Sequence, residues 1–158
     1  MESGTILAIH TAPAARAPME ARERVRLEAG RGIADDRYGQ NAGTFSDWPQ
    51  DHELTLVESE AIDAVQAEYG LALLPGEIRR NLTTRGIALN DLVGRRFRVG
   101  GVLCEGTRRC EPCAHLEVVT GQGGLARLFA GRGGLRARVL EDGEIGIGDR
   151  VEEMGEAR

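Results

Sequence analysis

The residues best suited to chemistry in this sequence are two cysteines in the segment TRRCEPCAHL, residues 107–116. Cys110 and Cys113 are separated by two residues, two arginines precede them, and His115 follows them. A thiolate is the form of cysteine that attacks electrophiles and binds metals, and nearby arginines favour it by lowering the thiol pKa. Three interpretations fit the spacing: a redox-active dithiol, half of a zinc site, or small buried apolar residues without a chemical role.

Two of these interpretations lack their usual surroundings. A four-cysteine zinc site needs a second pair, and only Cys104 and His115 could complete an irregular site here. A thioredoxin-like dithiol opens a helix after a strand within a βαβ unit, and this sequence has no such context. Pro112 places Cys113 directly after a turn. The spacing alone leaves these interpretations open, and buried cysteines without a chemical role fit it as well as a reactive thiol does.

A second cluster, EIRRNLTTRG at residues 77–86, is rich in arginine. Arg79, Arg80 and Asn81 follow a Pro-Gly turn. A guanidinium group can donate two hydrogen bonds to the oxygens of one phosphate, and an asparagine amide can donate a further one. The cluster predicts an anion site, with a solvated strand face as the alternative. In a strand, Arg80 and Leu82 would share one face while Arg79 and Asn81 share the other, so the two arginines could not be buried in the same way.

The remaining polar clusters are less specific. GIADDRYG, residues 32–39, places two aspartates and an arginine between glycines. These groups could bind a metal ion, or an Asp–Arg pair could brace a turn. His10 and His52 are isolated histidines with no pattern around them that defines a role.

Composition narrows the class of protein. The 158 residues suffice for one domain with its own core, and the net charge of −5 argues against a nucleic-acid partner. The sequence has no apolar run of about 18 residues and no signal-peptide pattern, so we expect a cytoplasmic protein without membrane contact. Three cysteines in such a chain favour a reactive or ligating thiol over a disulfide framework. All 20 basic residues are arginine, which excludes a P-loop lysine and a lysine that holds pyridoxal phosphate covalently.

The elements that must position these residues are short and separated by glycines. A short apolar run predicts a strand at GTILAIH (4–10), alternating patterns predict strands at VRLEA (25–29) and ELTLVES (53–59), and the threonines of 78–86 also favour a strand. Residues 59–70 predict a helix, with Ser59 as N-cap and Gly70 as its end.

Two hairpins and two short helices complete the predicted elements. The hairpins are residues 95–109, with a Gly100–Gly101 turn, and 135–154, with an Asp142–Gly143 turn. Residues 87–94 predict a tight turn or short helix, and residues 123–131 a short helix. Six to eight short strands with one firm helix indicate a mostly antiparallel β barrel or sandwich with a peripheral helix, not a doubly wound sheet.

The order of these segments resembles a MOSC domain, the molybdenum-cofactor sulfurase C-terminal domain, over residues 30–152 of a single-domain chain 1–158. The most specific similarities are the RRN element with the glycine-rich run after it, the PC-x-x-L cysteine, and the closing G-x-I-x-x-GD. The resemblance implies a β-barrel-like fold of the pyruvate kinase β-barrel kind. It also implies a single functional cysteine, which is Cys113 in this sequence.

The same resemblance implies a cofactor and its binding residues. In amidoxime-reducing relatives the matching thiolate is a ligand of molybdenum, and the basic-Asn segment lies at the pterin phosphate. This assigns Cys113 as catalytic residue and metal ligand, and it assigns the cofactor to residues Arg79, Arg80, Asn81, Asp51 and His52. An electron-donating reductase would then be the partner in reducing N-hydroxylated substrates.

The resemblance also implies two other classes of function. Cys113 could carry sulfur as a persulfide received from a separate cysteine desulfurase, or the domain could bind a ligand without catalysis. The chain departs from large sulfurases, since it has neither the length nor a lysine for a pyridoxal-phosphate domain. It also lacks room for the extra N-terminal β domain of the amidoxime-reducing relatives. The family's Gly-Asp-Arg-His-like segment appears as DDRYG, with Tyr38 in place of histidine, and Cys110 has no firm counterpart.

Overall fold

The structure is a computed structural model, and it describes residues 3–13, 18–34, 36, 53–70, 73, 78–110, 128, 129 and 131–156. The elements found there, in chain order, are β1 Ser3–Thr11, β2 Glu20–Arg22, β3 Arg24–Glu28, β4 Gly32–Ile33, β5 Leu54–Glu58, α1 Ser59–Tyr69, β6 Leu82–Arg85, a 3-10 helix Leu89–Leu92, β7 Arg95–Val99, β8 Val102–Arg109, β9 Leu135–Val139, β10 Gly143–Gly146 and β11 Arg150–Glu156.

Seven strands form a closed barrel. They follow the order β11-β7-β8-β9-β5-β6-β1, and β1 pairs back onto β11, with Ser3 opposite Glu152. Strand β2 extends the sheet beside β1, and β10, β3 and β4 form a separate three-stranded sheet. Among these strand pairs β5 and β6 are parallel, and the others are antiparallel. The predicted mostly antiparallel β-barrel fold is therefore confirmed.

Alternation along the strands builds the barrel core. In β9, Leu135, Ala137 and Val139 are buried, and in β7 Phe97 and Val99 are buried. Residues of this kind from all the barrel strands form one apolar cluster. Burial of each such large apolar side chain contributes about 1.5–3 kcal/mol.

A second apolar cluster fixes the helix against the outside of the barrel. Ala61 and Val65 on α1 pack with Val57 of β5, and Ile78 and Phe129 complete the group. The helix therefore covers the barrel wall where β5 and β6 run parallel. Within the described part of the chain, no helix has the length and apolar character needed to cross a membrane.

The ends of α1 match the prediction at one terminus only. Gly70 ends the helix in the left-handed conformation, with φ 65° and ψ 28°, as expected. Ser59 was predicted as the N-cap, and that is wrong: Ser59 is the first helical residue, and Glu58 is the extended residue before it. The Glu58 carboxylate does not cap the helix, because it accepts a hydrogen bond from the Leu89 amide at 3.0 Å.

One predicted hairpin is confirmed and the other is wrong. Strands β7 and β8 pair across Gly100 and Gly101, whose φ angles of 55° and 91° suit a type I′ turn. Strands β9 and β10 do not pair with each other. The two edges of β9 are occupied by β5 and β8, and β10 pairs with β3. Asp142 accepts a hydrogen bond from the Ala29 amide at 2.8 Å, which connects the segment predicted as a hairpin turn to the end of β3 in the three-stranded sheet.

Glu53 gives the barrel a pH-dependent stability. Its side chain is buried, and Oε1 accepts a hydrogen bond from the Val139 amide at 2.9 Å. Burial raises the pKa of this carboxyl above its ordinary value of 4.5, while the Val139 amide and the charge of Arg138 act in the opposite direction. Because the folded-state pKa is raised, stability is fully present below the unfolded pKa and is lost as pH rises through the folded pKa.

We therefore expect Glu53→Gln to raise the free energy of unfolding relative to wild type at pH 7, since glutamine keeps the acceptor without the buried charge. The difference should shrink as the pH falls below 4.5. Urea unfolding at pH 4 and pH 7 measures it. Glu144→Gln, whose side chain is 66% exposed, is the control and should show no comparable change. A difference that is the same at both pH values would contradict the assignment.

Candidate functional site

Arg80 is the centre of a buried polar site at one end of the barrel. It lies just before β6, and its guanidinium donates three hydrogen bonds to main-chain carbonyls. Nε donates to Gly133 at 2.8 Å, Nη2 to Cys110 at 3.1 Å and Nη1 to Ile78 at 3.4 Å. One side chain therefore joins the end of β8, the start of β9 and its own segment.

These contacts fix both ends of the segment that contains Cys113. Cys110 and Gly133 flank this segment and are both bound by Arg80, and the Cys110 amide donates to the Gly134 carbonyl at 2.8 Å. Cys113 itself lies outside the described residues, as do Asp51 and His52.

The charge of Arg80 is not compensated by a carboxylate within the described residues. The side chain is 9% exposed, and its hydrogen-bond partners there are neutral carbonyls. Arginine keeps its proton in proteins, so the positive charge persists in a region where water cannot screen it well. Three of its five N–H groups are used, which leaves two for a further acceptor. The site therefore favours an anion.

The segment from Arg79 to Asn81 is not a strand, and the predicted alternation of faces is wrong. Arg79 has φ 61°, in the left-handed region, and β6 begins only at Leu82. The turn at Arg79 lets the next two residues, Arg80 and Asn81, both point inward, with exposures of 9% and 0%. The assignment of these residues to a cofactor stays a prediction.

Asn81 holds three strands together with its side-chain amide. Its Oδ1 accepts hydrogen bonds from the Thr55 amide and hydroxyl, each at 3.1 Å, and its Nδ2 donates to the His10 carbonyl at 3.1 Å. The Asn81 amide in turn donates to the Thr55 hydroxyl at 3.0 Å. This network joins β1, β5 and the start of β6, and it positions the neighbouring Arg80.

A cavity of about 240 Å³ lies between α1 and the outer face of strands β1 and β6. Arg80 and His10 are among its lining residues, together with apolar side chains. His10 is 4% exposed, and its Nδ1 has no hydrogen-bond partner among the described residues. Burial lowers the His10 pKa, so the ring is neutral at neutral pH. An unpaired buried polar atom costs about 1–3 kcal/mol, which marks this side of the cavity as polar and incomplete.

No sequence pattern assigned a role to His10 or indicated this cavity. His10 is an isolated histidine in an apolar strand, and its closeness to Arg80 arises only because β1 pairs with β6. Of the acidic cluster in residues 32–39, the structure describes Asp36, whereas Asp35 and Arg37 lie outside the described residues. Asp36 is buried, and its Oδ1 accepts a hydrogen bond from the Ala12 amide at 2.9 Å, which braces the chain after β1.

The other two cysteines are enclosed. Cys104 is fully buried in the barrel core, and burial raises the pKa of its thiol to about 12, helped by the charges of Glu53 and Glu141. Cys110 is 1% exposed. Across the described residues, no group of three or more His, Cys, Asp or Glu side chains could hold a metal ion. The described residues thus give no support to an irregular zinc site built on Cys104.

Comparisons with known proteins agree with this architecture. A family model described as the MOSC domain matches residues 27–152. The structure resembles the YuaD protein from Bacillus subtilis with a TM-score of 0.80 and 18% identity, covering 99% of this chain and 100% of that one. It also resembles YiiM from Geobacillus stearothermophilus, with a TM-score of 0.74 and 17% identity over 96% and 75% of the two chains. For YiiM from Escherichia coli the TM-score is 0.71 and the identity 18%, over 99% and 71%. No curated protein matches the sequence significantly.

Proposed function

The chain belongs to the MOSC-domain family, and on that premise we propose that it binds the molybdenum cofactor with the Cys113 thiolate as a ligand of the metal. In this proposal Arg80 attracts the anionic part of the cofactor. Arg79, Asn81, Asp51 and His52 are the further residues that the family pattern assigns to it.

The single observation that carries the proposal is the position of Arg80. Its guanidinium binds the carbonyls of Cys110 and Gly133, so a buried positive charge lies where the segment with Cys113 leaves and rejoins the barrel. A nearby positive charge stabilises a thiolate against a thiol. It also attracts a cofactor that carries a phosphate. One residue thus favours both the ligand and the anion that the proposal requires.

The donor set fits the cofactor. Thiolate sulfur is a soft ligand, suited to a metal that binds sulfur, and the two N–H groups left on Arg80 match a phosphate or other anion. Asn81 contributes by fixing Arg80, since its own amide oxygen and nitrogen already bind Thr55 and His10. When bound, the molybdenum centre would supply two-electron redox chemistry, for which we propose N-hydroxylated substrates and a partner reductase as electron donor.

The proposal predicts that the metal content depends on Cys113 alone. Wild type, Cys113→Ser and Cys110→Ser, produced in a molybdenum-replete host, are compared by elemental analysis. We expect molybdenum in wild type and in Cys110→Ser, and a molybdenum content lower by about tenfold or more in Cys113→Ser. Replacing residues that only hydrogen-bond to a metal ligand already lowers metal affinity by that factor, and Cys113 is the ligand itself in this proposal. Cys110→Ser is the matched control, since it makes the same change in the same segment. Melting temperatures of both variants check that they fold.

Two results would contradict the proposal. One is wild-type protein without molybdenum from a host that makes the cofactor, and the other is equal molybdenum in wild type and Cys113→Ser. Metal-free protein that gains the mass of one sulfur atom on Cys113, after incubation with a cysteine desulfurase, would support the sulfur-carrier function instead.

A further inference from the structure

We infer that the cavity between α1 and strands β1 and β6 binds a small organic anion, a molecule with an apolar body and a carboxylate or phosphate that Arg80 holds. This inference goes beyond the proposed function, because it concerns a cavity of described residues and does not require Cys113 or molybdenum.

The walls of the cavity suit an apolar body. Ala8 of β1, Ile62 of α1, Leu73 and Ile78 line it from both sides. The volume of about 240 Å³ is smaller than the roughly 300–1,000 Å³ of typical drug-sized sites, so the ligand is a small one. Gln66 is fixed at the wall, because its Oε1 accepts a hydrogen bond from the Leu73 amide at 2.9 Å. The amide nitrogen of Gln66 remains as a donor.

The polar end of the cavity requires a negative charge. Arg80 lines the cavity and has two N–H groups beyond the three that bind carbonyls, one on each terminal nitrogen. A guanidinium group with two remaining N–H groups can bind a carboxylate or phosphate. Among the described residues that line the cavity, the one acid is Asp63, and its carboxylate binds Arg85 at 2.9 Å. Asp63 is thereby occupied, and the charge of Arg80 remains available to a ligand.

His10 is a further polar residue of the cavity wall. It lines the cavity, it is 4% exposed, and its Nδ1 lacks a hydrogen-bond partner within the described part of the chain. Nδ1 has almost no surface that water can reach, so it does not contact a ligand in the cavity, and the ring contributes to the wall only. Arg80 therefore defines the polar end, opposite the apolar walls.

Benzoate is the probe that tests this inference, with benzamide as its uncharged analogue of the same shape. Each is titrated into 15N-labelled protein with the Cys113→Ser substitution, purified from a host without molybdenum, and the amide shifts of Ala8, His10 and Thr83 are followed. We expect saturable shifts with benzoate and at least about tenfold weaker binding of benzamide, since it lacks the charge that pairs with Arg80. Phenyl phosphate in a third titration shows which anion the site prefers, and binding tighter than that of benzoate supports a phosphate ligand.

Two substitutions separate the cavity from general surface effects. Ile62→Trp fills the cavity while leaving Arg80 in place, and it should abolish benzoate binding. Arg150→Gln removes a positive charge from a side chain that is 69% exposed, and it should leave binding unchanged. The inference is overturned by an absence of saturable shifts, by equal affinity for benzoate and benzamide, or by benzoate binding that survives Ile62→Trp. It is also overturned if inorganic phosphate binds as tightly as phenyl phosphate, because the apolar walls would then contribute nothing.

Both proposals use the same two N–H groups of Arg80, so a cofactor phosphate bound there would exclude the cavity ligand, and the titrations use protein without the cofactor for that reason. A chain that binds molybdenum but no benzoate would keep the proposed function and refute the cavity ligand. A chain that binds benzoate but no molybdenum would do the reverse.

Discussion

Replacing Gly134 with alanine should cost about 3–5 kcal/mol of the free energy of unfolding, the sum of backbone strain and overpacking. Gly134 has φ 117°, which L-residues rarely adopt, and an added Cβ would overlap the carbonyl oxygen of Leu56 and approach the Val57 Cα at 3.4 Å. Since these are backbone atoms of the adjacent strand, they can move only if β9 shifts away from β5. Such a shift would also pull Gly133 from Arg80.

Gly131→Ala is the matched control for this prediction. Gly131 also has a positive φ of 76°, but an added Cβ would have no atom within 4 Å. We therefore expect a loss of only about 1–2 kcal/mol, the cost of the left-handed backbone alone. Urea unfolding of both variants at 25 °C makes the comparison. Equal losses of unfolding free energy in Gly134→Ala and Gly131→Ala would contradict the prediction, because the close approach of β9 to Leu56 would then add no cost.

Replacing Arg80 with methionine should be the second most damaging change, with a loss of about 3 kcal/mol or more. Removing a buried charge is often harmless when its partners leave with it. Here the carbonyls of Ile78, Cys110 and Gly133 stay behind without their donor, and each unpaired buried group costs about 1–3 kcal/mol. Arg80→Lys should cost less, because an ammonium can satisfy some of these carbonyls.

The control for Arg80→Met is Arg150→Met. Arg150 pairs with Glu152 at 3.2 Å at the surface, and its loss should change the free energy of unfolding by less than about 0.5 kcal/mol. Both variants can be compared by the same urea titration. Stability of Arg80→Met within that range of wild type would contradict the central structural role of this arginine.

Sequence reasoning succeeded where local chemistry determines structure. The strands predicted in residues 4–10 and 53–59, the Gly100–Gly101 turn and the Gly70 helix end depend on neighbours in the chain, and the structure contains each of them. The strand-turn-strand units without a βαβ rhythm predicted a mostly antiparallel barrel or sandwich, and the structure is a closed barrel. The 3-10 helix Leu89–Leu92 lies in residues 87–94, where a tight turn or short helix was expected.

The sequence-based predictions were wrong where contacts between distant segments determine the structure. The Asp142–Gly143 hairpin was predicted from local residues alone. Strand β9 instead pairs with β8, whose residues lie on average more than thirty positions earlier in the sequence, and with β5, whose residues lie on average more than eighty positions earlier. The left-handed backbone at Arg79 is equally unexpected, since arginine is not a residue that turn rules place there. Arg80 was singled out as an anion ligand by residue type, but its three carbonyl bonds could be found only from the fold.

The most direct test of the account is the reactivity of the three thiols in the native protein. Iodoacetamide is added at pH 7 to protein produced in a host without molybdenum, so that no metal occupies Cys113, and the modified cysteines are located by mass spectrometry. We predict rapid modification of Cys113 and slow modification of the other two, because Cys104 has a pKa raised to about 12 and both Cys104 and Cys110 are buried. Cys113→Ser should remove the rapid reaction. Rapid modification of Cys110 or Cys104 with Cys113 untouched would contradict the claim that Cys113 is the functional thiolate.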